Sequence, residues 1–282
     1  MPAWIVDEVA AVLADEQDLA AAIAGLSTPA RLAGRVNRRR GDVAAVVARL
    51  ADEGASAEPA PGSPDGIYVD DLGDPGASPS HRAGLWTVQD LGAQRVARAA
   101  APRPGERVLD ACAGVGGKAT HLAELADDAA TIDAVDRSST KLALAAASAQ
   151  RLGLTSVRTV VADLQTPARG ALAERYDRIV LDAPCSGLGV LRRHPEGKWR
   201  VTAADVARLA AVQAELLDAV VPRLADGGTL VYSVCTFTAA EGPAQVEALR
   251  ARWPGLTLVG SEQTWPHRDG ADAFYLATLR RG

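Results

Sequence analysis

Cysteine is scarce in this 282-residue chain, with three in all, and two of the three close β-strand patterns. Cys185 lies in VLDAPCSGLG and Cys235 in LVYSVCTF. A thiolate is a nucleophile, whereas a thiol packed in a core is only a small hydrophobe. Position separates the two readings. Cys185 and Cys235 each lie past a strand, in a segment expected to border a cleft, which favours nucleophilic chemistry. Cys112, just after VLDA, fits core packing. Acids accompany the thiols. Asp110, Asp136, Asp163 and Asp182 each end a strand pattern, and in an open α/β sheet ligands bind at the carboxyl ends of the strands. A lone strand-end Asp is usually a cap or turn residue. Four on one rim point to a site, with Asp110 read as structural, orienting its loop.

The stretch VLDACAGVGGKATHLAEL reads as a strand, a glycine-rich turn and a helix. Gly114, Gly116 and Gly117 permit tight backbone geometry and close approach of a ligand. The helix start then offers free N–H groups to an anion. Asp136 ends the next strand about 20 residues on, where an acid binds ribose hydroxyls. A dinucleotide fingerprint starting at Gly114 meets Ala119 in place of its last glycine. A P-loop fails, because Cys112 and Ala119 occupy its first glycine and its Ser/Thr position. S-adenosylmethionine also requires a glycine turn near its methionine part and an acid on its ribose. The loop alone leaves the dinucleotide and S-adenosylmethionine readings open. A nicotinamide-dependent oxidoreductase, however, leaves both rim cysteines without a task.

These residues need a scaffold. From about residue 90 strands alternate with helices: RVLDAC, ATIDAVD, VRTVVAD, RIVLDAP and GTLVYSV, with helices at 117–126, 138–151 and 203–221 among them. The alternation predicts a parallel sheet covered on both faces. LTLVG and AFYLATLRR are expected as final strands, one of them antiparallel at the sheet edge. Ahead of this, residues 3–24 show helical apolar spacing, RLAGRV is strand-like, and DVAAVVARLADEG is a helix stopped by Gly54. Residues 73–84, rich in Gly, Pro and Ser, read as a linker. Two domains are expected, a small α+β domain over 1–75 and an α/β domain over 76–282.

Bulk properties narrow the classes. No run of about 18 apolar residues is present, so no membrane span is expected. MPAWIVDEVA lacks the basic and apolar regions of a signal peptide. Three cysteines without CxxC spacing argue against a disulfide framework and a structural zinc site, and no metal is expected; a reducing cytoplasm fits best. The net charge of −5 leans away from nucleic acid, but distribution outweighs the sum. Arginine outnumbers lysine 27 to 3, so Lys118 and Lys198, both inside motifs, stand out. RRHPEGKWR sets Arg192, Arg193, Lys198 and Arg200 against Glu196, with His194 and Trp199 interleaved. Basic groups hold phosphates and aromatics stack on unpaired bases. RVNRRRGD adds Arg35, Arg38, Arg39 and Arg40, either an exposed turn or a second RNA patch.

Taken together, DAPCSGLGVLRRHPEGKWR, LVYSVCTF and LDACAGVGGK resemble the Sun/Fmu (RsmB-type) RNA cytosine-5 methyltransferases. The resemblance extends through TVQDLGAQ, WPHRDGADAFYLA and RVNRRR, and so over most of the chain. It implies a Rossmann-like class I methyltransferase sheet, mostly parallel with an antiparallel last strand, preceded by a small α+β RNA-binding domain. It implies methyl transfer from S-adenosylmethionine to carbon 5 of a cytosine in RNA, ribosomal RNA first and transfer RNA as the rival. By resemblance Cys235 is the nucleophile that adds to carbon 6, and Cys185 assists product release. Asp182 is the acid at the pyrimidine edge, and Lys118 orients Asp182 or the substrate. Cofactor contacts fall on Cys112, Ala113, Gly114, Val115, Gly116, Gly117, Lys118, Asp136, Asp163 and Asp182. The target base must be flipped or single-stranded to reach a thiol. A monomer is expected.

The chain departs from the family pattern in three places. Val115 stands where a Pro is usual before the two glycines, which gives up a fixed φ. Val234 replaces a Thr before Cys235, and after it AAEGPAQ keeps Glu241 of a usual Glu-Asn-Glu. These changes motivate a non-catalytic alternative, an RNA-binding assembly factor that kept the fold. Longer family members carry a helical domain ahead of the matching part, and this chain begins about where that domain would end.

Overall fold

Strands and helices alternate along most of the chain, with Gly, Pro and Asp at the turns between them. The computed structural model describes residues 1–166 and 170–282. Two units result, Arg31–Asp163 (the middle unit) and Met1–Ala30 with Leu164–Gly282 (the terminal unit).

The middle unit carries a four-stranded antiparallel sheet of β1 (Leu32–Val36), β2 (Ser56–Pro59), β3 (Gly66–Asp70) and β4 (Trp86–Val88), in the order β2-β3-β1-β4. Val36, Val46, Leu50, Ile67, Val69 and Trp86 form its core with the helix Val43–Asp52. Asp42 caps that helix by accepting from the Ala45 N–H, as a short acid before an apolar run should. The Gly/Pro/Ser stretch expected to be a linker is packed instead. Glu53 accepts from the Ser80 backbone N–H at 2.7 Å and from the Ser78 hydroxyl at 2.5 Å, and the Trp86 indole N–H donates to Ser80 Oγ at 3.0 Å. Linker-like composition concealed hydroxyls and backbone N–H groups that find a carboxylate at the end of the helix Val43–Asp52.

The same unit holds the parallel strands β5 (Arg107–Asp110), β6 (Thr131–Asp136) and β7 (Val157–Val161). Helices Gly117–Leu125 and Ser139–Leu152 follow β5 and β6. On β1, Arg35 is buried and pairs with Glu124 at 2.9 Å. It also donates to the Gly117 carbonyl at 3.1 Å, so the small sheet grips the first turn of the helix after the glycine loop. Asn37, the one asparagine of the chain, donates to the Gly84 and Leu152 carbonyls, both at 3.0 Å.

His121 is fully buried beside these arginines, and neither ring nitrogen has a hydrogen-bond partner among the described residues. Burial, then Arg35 and Arg98, push its pKa well down. It is therefore neutral in the fold and titrates near 6.5 only when unfolded. Its stabilising contribution is complete above about pH 6.5 and is lost at about 1.4 kcal/mol per pH unit below it. Melting temperatures measured between pH 7 and pH 5 should fall more steeply for the wild type than for His121→Leu.

The terminal unit holds β8 (Tyr176–Asp182), β9 (Leu224–Val234), β10 (Leu256–Gln263) and β11 (Tyr275–Arg281). β8 and β9 are parallel, β11 runs antiparallel to β9, and β10 pairs antiparallel outside β11. Strands β5–β11 belong to a seven-stranded, mostly parallel sheet in the order β10-β11-β9-β8-β5-β6-β7. Residues 3–24 form two helices, Ala3–Ala10 and Glu16–Ser27, separated where Asp15 caps the second. Their Ile5, Val9 and Leu26 pack with Leu188, Leu191, Phe237 and Trp265. Burying each such side chain contributes about 1.5–3 kcal/mol. These contacts support the chain just past Cys185 and just past Cys235. No helix of the described residues is long and apolar enough to cross a membrane.

Candidate active site

In the middle unit the glycine loop is set by local geometry. The Ala113 N–H donates to the Val135 carbonyl at 2.8 Å, which fastens the loop to the neighbouring strand. Gly116 has φ +85°, and a Cβ there would lie 2.6 Å from Cβ of Ala145. Only glycine combines that backbone with that approach. Val115, in place of the family's proline, is exposed at the tip. Asp136 accepts from the Gly114 N–H at 3.0 Å with one oxygen and from the Ser138 N–H at 2.8 Å with the other. A carboxylate offers about four acceptor sites, so two remain for hydroxyl donors. Asp163 stands 3.9 Å from Arg137. Asp110 is buried, as its structural reading requires, while Cys112 is half-buried rather than in the core. Lys118 lies half-buried in the first turn of its helix.

In the terminal unit, β8 ends at Asp182 and β9 at Val234, and their parallel pairing sets the next residues side by side. Asp182 accepts from the Ser233 hydroxyl at 2.8 Å. The Sγ atoms of Cys185 and Cys235 are 3.3 Å apart, and both cysteines are free and half-buried. The Cys185 thiol is pushed well up, first by its hydrogen bond with Cys235, then by burial and by the charges of Glu241 and Asp182. Cys185 is thus protonated at neutral pH, with its S–H available to Cys235.

Glu241 holds both thiol loops. It is fully buried and accepts from the Ser186 N–H at 2.8 Å, the Ser186 hydroxyl at 2.6 Å and the Thr238 hydroxyl at 3.0 Å. Gln213 donates to Glu241 and to the Pro184 carbonyl, each at 3.0 Å. The Tyr232 hydroxyl donates to Gln213 at 3.1 Å. Buried polar groups so connected specify one arrangement of their neighbours. Glu8 on the first helix is raised by burial and then by Glu241. Gly189 completes the frame: its N–H donates to the Cys235 carbonyl, its carbonyl accepts from the Ala273 N–H, both at 3.0 Å, and a Cβ would lie 1.9 Å from the Ala273 carbonyl oxygen. Gln213 carried a sequence signal that went unread. It lies seven residues from Val206 and from Val220, on the buried stripe of the helix Ala203–Val220, where a polar residue calls for a partner.

The two basic stretches divide. Arg192 and Arg193 both pair with the buried Asp272, Arg193 at 2.7 Å, and Arg192 also donates to the Gly270 carbonyl at 2.9 Å. These contacts join the motif after Cys185 to the DGADA segment. Trp199 is 76% exposed, and Lys198 and Arg200 flank it on the helix Gly197–Arg200. In the first stretch Arg35 is interior. Arg39 donates to the Gly153 carbonyl at 3.3 Å, and Arg40 to the Ala83 carbonyl. Arg38, although mostly exposed, lies 3.2 Å from Asp65.

With this geometry in view, the chain was compared with known proteins. The family model described as 16S rRNA methyltransferase RsmB/F matches residues 97–280. The chain belongs to the RsmB/F methyltransferase family. A second model, described as a Methyltr_RsmF/B-like, ferredoxin-like domain, matches residues 1–74. The probable ribosomal RNA small subunit methyltransferase B of a Synechocystis species is 42% identical over 72% of this chain and 49% of its own length. Ribosomal RNA small subunit methyltransferase B of Salmonella arizonae is 38% identical over 87% of this chain and 58% of its own length. The chain therefore spans about half of these RsmB/F relatives. The crystal structure of PH0851 matches 99% of the chain at TM-score 0.94 and 25% identity, over 66% of its own length. That of NSun6 from Pyrococcus horikoshii with SFG matches 99% of this chain and 98% of its own at TM-score 0.88 and 20% identity, a likeness of fold.

Proposed function

We propose that this chain carries the catalytic part of an enzyme that transfers a methyl group from S-adenosylmethionine to carbon 5 of a cytosine in RNA, with small-subunit ribosomal RNA as the substrate. The observation that carries the proposal is the pair of thiols 3.3 Å apart, past the ends of two parallel strands and beside Asp182, in a member of the RsmB/F family. The residues of the middle unit fit the cofactor. The loop backbone from Cys112 to Gly117 is open to a ligand at Gly114 and Val115, and Asp136, fixed by two N–H groups, retains acceptor capacity for ribose hydroxyls. Asp163 and Lys118 are kept as further contacts. When bound, S-adenosylmethionine supplies a methyl group on a sulfonium.

Carbon 5 of cytosine is a poor nucleophile. Cys235, as a thiolate, forms a bond to carbon 6 and moves an electron pair onto the ring. Asp182, oriented by Ser233, shares a proton with ring nitrogen 3 and so stabilises that charge, and the proton returns to the carboxylate when the ring is restored. Carbon 5, made nucleophilic by that addition, would then accept the methyl group that S-adenosylmethionine held by the Cys112–Gly117 loop and Asp136 would supply, its sulfur leaving with the bonding pair. Loss of the carbon-5 proton to solvent lets the ring expel the Cys235 thiolate, which the Cys185 S–H receives in a hydrogen bond, and restores the double bond. Lys198, Trp199, Arg200 and the exposed Arg38 are proposed to hold RNA. Arg39, Arg40, Arg192 and Arg193 are proposed chiefly to position those elements, given their partners. The reaction is placed in the cytoplasm.

Two readings stand behind this one: transfer RNA as the substrate, and a non-catalytic assembly factor, which the changed residues after Cys235 motivate. Transfer of labelled methyl groups to unmodified small-subunit ribosomal RNA and to transfer RNA separates them. The proposal expects label on the ribosomal RNA. Label confined to transfer RNA supports the first rival, and RNA bound without label supports the second.

A further inference from the structure

A cavity of about 300 Å³ opens beside the thiol loop, lined by Ser186, Glu196, Arg200, Val201, Arg208 and Leu209 among others. It contains neither cysteine, yet it begins one residue from Cys185. Through the 3.1 Å contact of the Ser186 and Thr236 hydroxyls, it also borders the residue after Cys235. Its rim is rigid, because Ser186 is doubly bonded to Glu241. Its size is at the lower end for a small-ligand pocket.

The lining sorts by chemistry. Arg208 is committed to Asp205 at 3.1 Å, and Asp205 also accepts from the Thr202 hydroxyl at 2.7 Å. Arg200 makes no ion pair or hydrogen bond among the described residues, so its guanidinium is free to hold a phosphate. Val201 and Leu209 give apolar wall against which a flat ring can lie. Glu196, whose one ionic neighbour among the described residues is His194 at 3.5 Å, offers a carboxylate at the edge. A carboxylate accepts from an exocyclic amino group and meets only repulsion from a carbonyl in the same place.

We propose that this cavity holds the nucleotide next to the target cytosine, with its phosphate on Arg200, its base against Val201 and Leu209, and an exocyclic amino group on Glu196. The enzyme therefore disfavours uracil at that neighbouring position. The inference rests on the methyltransferase reading above and adds a sequence preference that the thiols alone do not supply.

The test uses the full chain, an unmodified small-subunit ribosomal RNA transcript and, once the methylated cytosine is mapped, short RNAs in which each neighbour of that cytosine is replaced by uridine. Fluorescence anisotropy of the labelled RNAs gives Kd beside the transfer kinetics. Arg200→Gln should raise KM and Kd about tenfold on every sequence and reduce the slope of log Kd against log salt by roughly one unit. Uridine at one neighbouring position should raise the wild-type KM about tenfold. Glu196→Gln should shrink that penalty to about twofold, because an amide also donates to a uracil carbonyl. Arg250→Gln, an exposed arginine elsewhere in the terminal unit, serves as the charge control and should change nothing. An Arg200→Gln protein with wild-type KM, Kd and salt slope overturns the pocket and leaves the methyltransferase reading intact. So does a uridine penalty that is absent, or that survives Glu196→Gln. A wild-type protein that binds cofactor and RNA but transfers nothing overturns the methyltransferase reading. It also overturns the placement beside a target, whatever Arg200 does.

Discussion

Cys235→Ser should abolish methyl transfer, a loss on the order of 10⁴-fold or more, with affinity for S-adenosylmethionine within about twofold of the wild type. A serine hydroxyl is far less acidic than a thiol. It adds poorly to carbon 6, and an alkoxide is a poorer group for the ring to expel. The substitution is otherwise slight. One oxygen replaces one sulfur at a half-buried position, and the Cys235 carbonyl still accepts from the Gly189 N–H at 3.0 Å. Melting should therefore shift by no more than about 1 kcal/mol in stability. The glycine loop and Asp136 are untouched, so cofactor affinity, measured by calorimetry, separates a lost nucleophile from a lost fold. Activity retained by Cys235→Ser defeats the assignment of that residue.

Cys185→Ala should produce the opposite phenotype from nearly the same place: an RNA-dependent covalent adduct that survives denaturation and migrates slowly on a gel. On the proposed mechanism, addition and methyl transfer need Cys235, whereas expulsion of the thiolate needs help from Cys185. About half or more of the protein should accumulate as adduct when RNA and S-adenosylmethionine are in excess, with turnover down on the order of 10²-fold. Two separate roles are what the proposal assigns to this pair. The thiols are close enough to share a proton, and the Cys185 thiol is held protonated by Cys235, burial, Glu241 and Asp182. The double variant Cys185→Ala with Cys235→Ser should form no adduct. A Cys185→Ala protein that turns over normally and shows no adduct contradicts the release role.

The alternation of strands and helices after residue 90 was legible because buried parallel strands are apolar runs and their helices carry clear caps. The glycine loop, the strand-end acids and the two thiols were legible for the same reason, since each follows directly from where a strand stops. The arginines were harder to read. RVNRRR and RRHPEGKWR look alike as charge runs, yet Arg35, Arg39, Arg192 and Arg193 each bond to a partner 78 or more residues away, and Arg40 to one 43 away. Only tertiary structure distinguishes an arginine that reaches a distant carbonyl or carboxylate from one that faces solvent. The supposed linker 73–84 failed similarly: Ser78 and Ser80 find Glu53, 25 and 27 residues back. Glu241 was visible only as a fragment of a motif, and its work on Ser186, Thr238 and Gln213 came from the fold.

The most direct test of the covalent account uses RNA in which cytidine is replaced by 5-fluorocytidine. Fluorine at carbon 5 leaves no proton to remove after methyl transfer, so the cysteine–base bond cannot be broken by elimination. Wild-type protein, this RNA and S-adenosylmethionine are incubated, digested with protease and nuclease, and the nucleotide-bearing peptide is identified by mass spectrometry. The account predicts one methylated fluorocytosine adduct per chain, attached to Cys235. An adduct on Cys185, or methylation of normal RNA without any adduct on the fluorinated one, contradicts it.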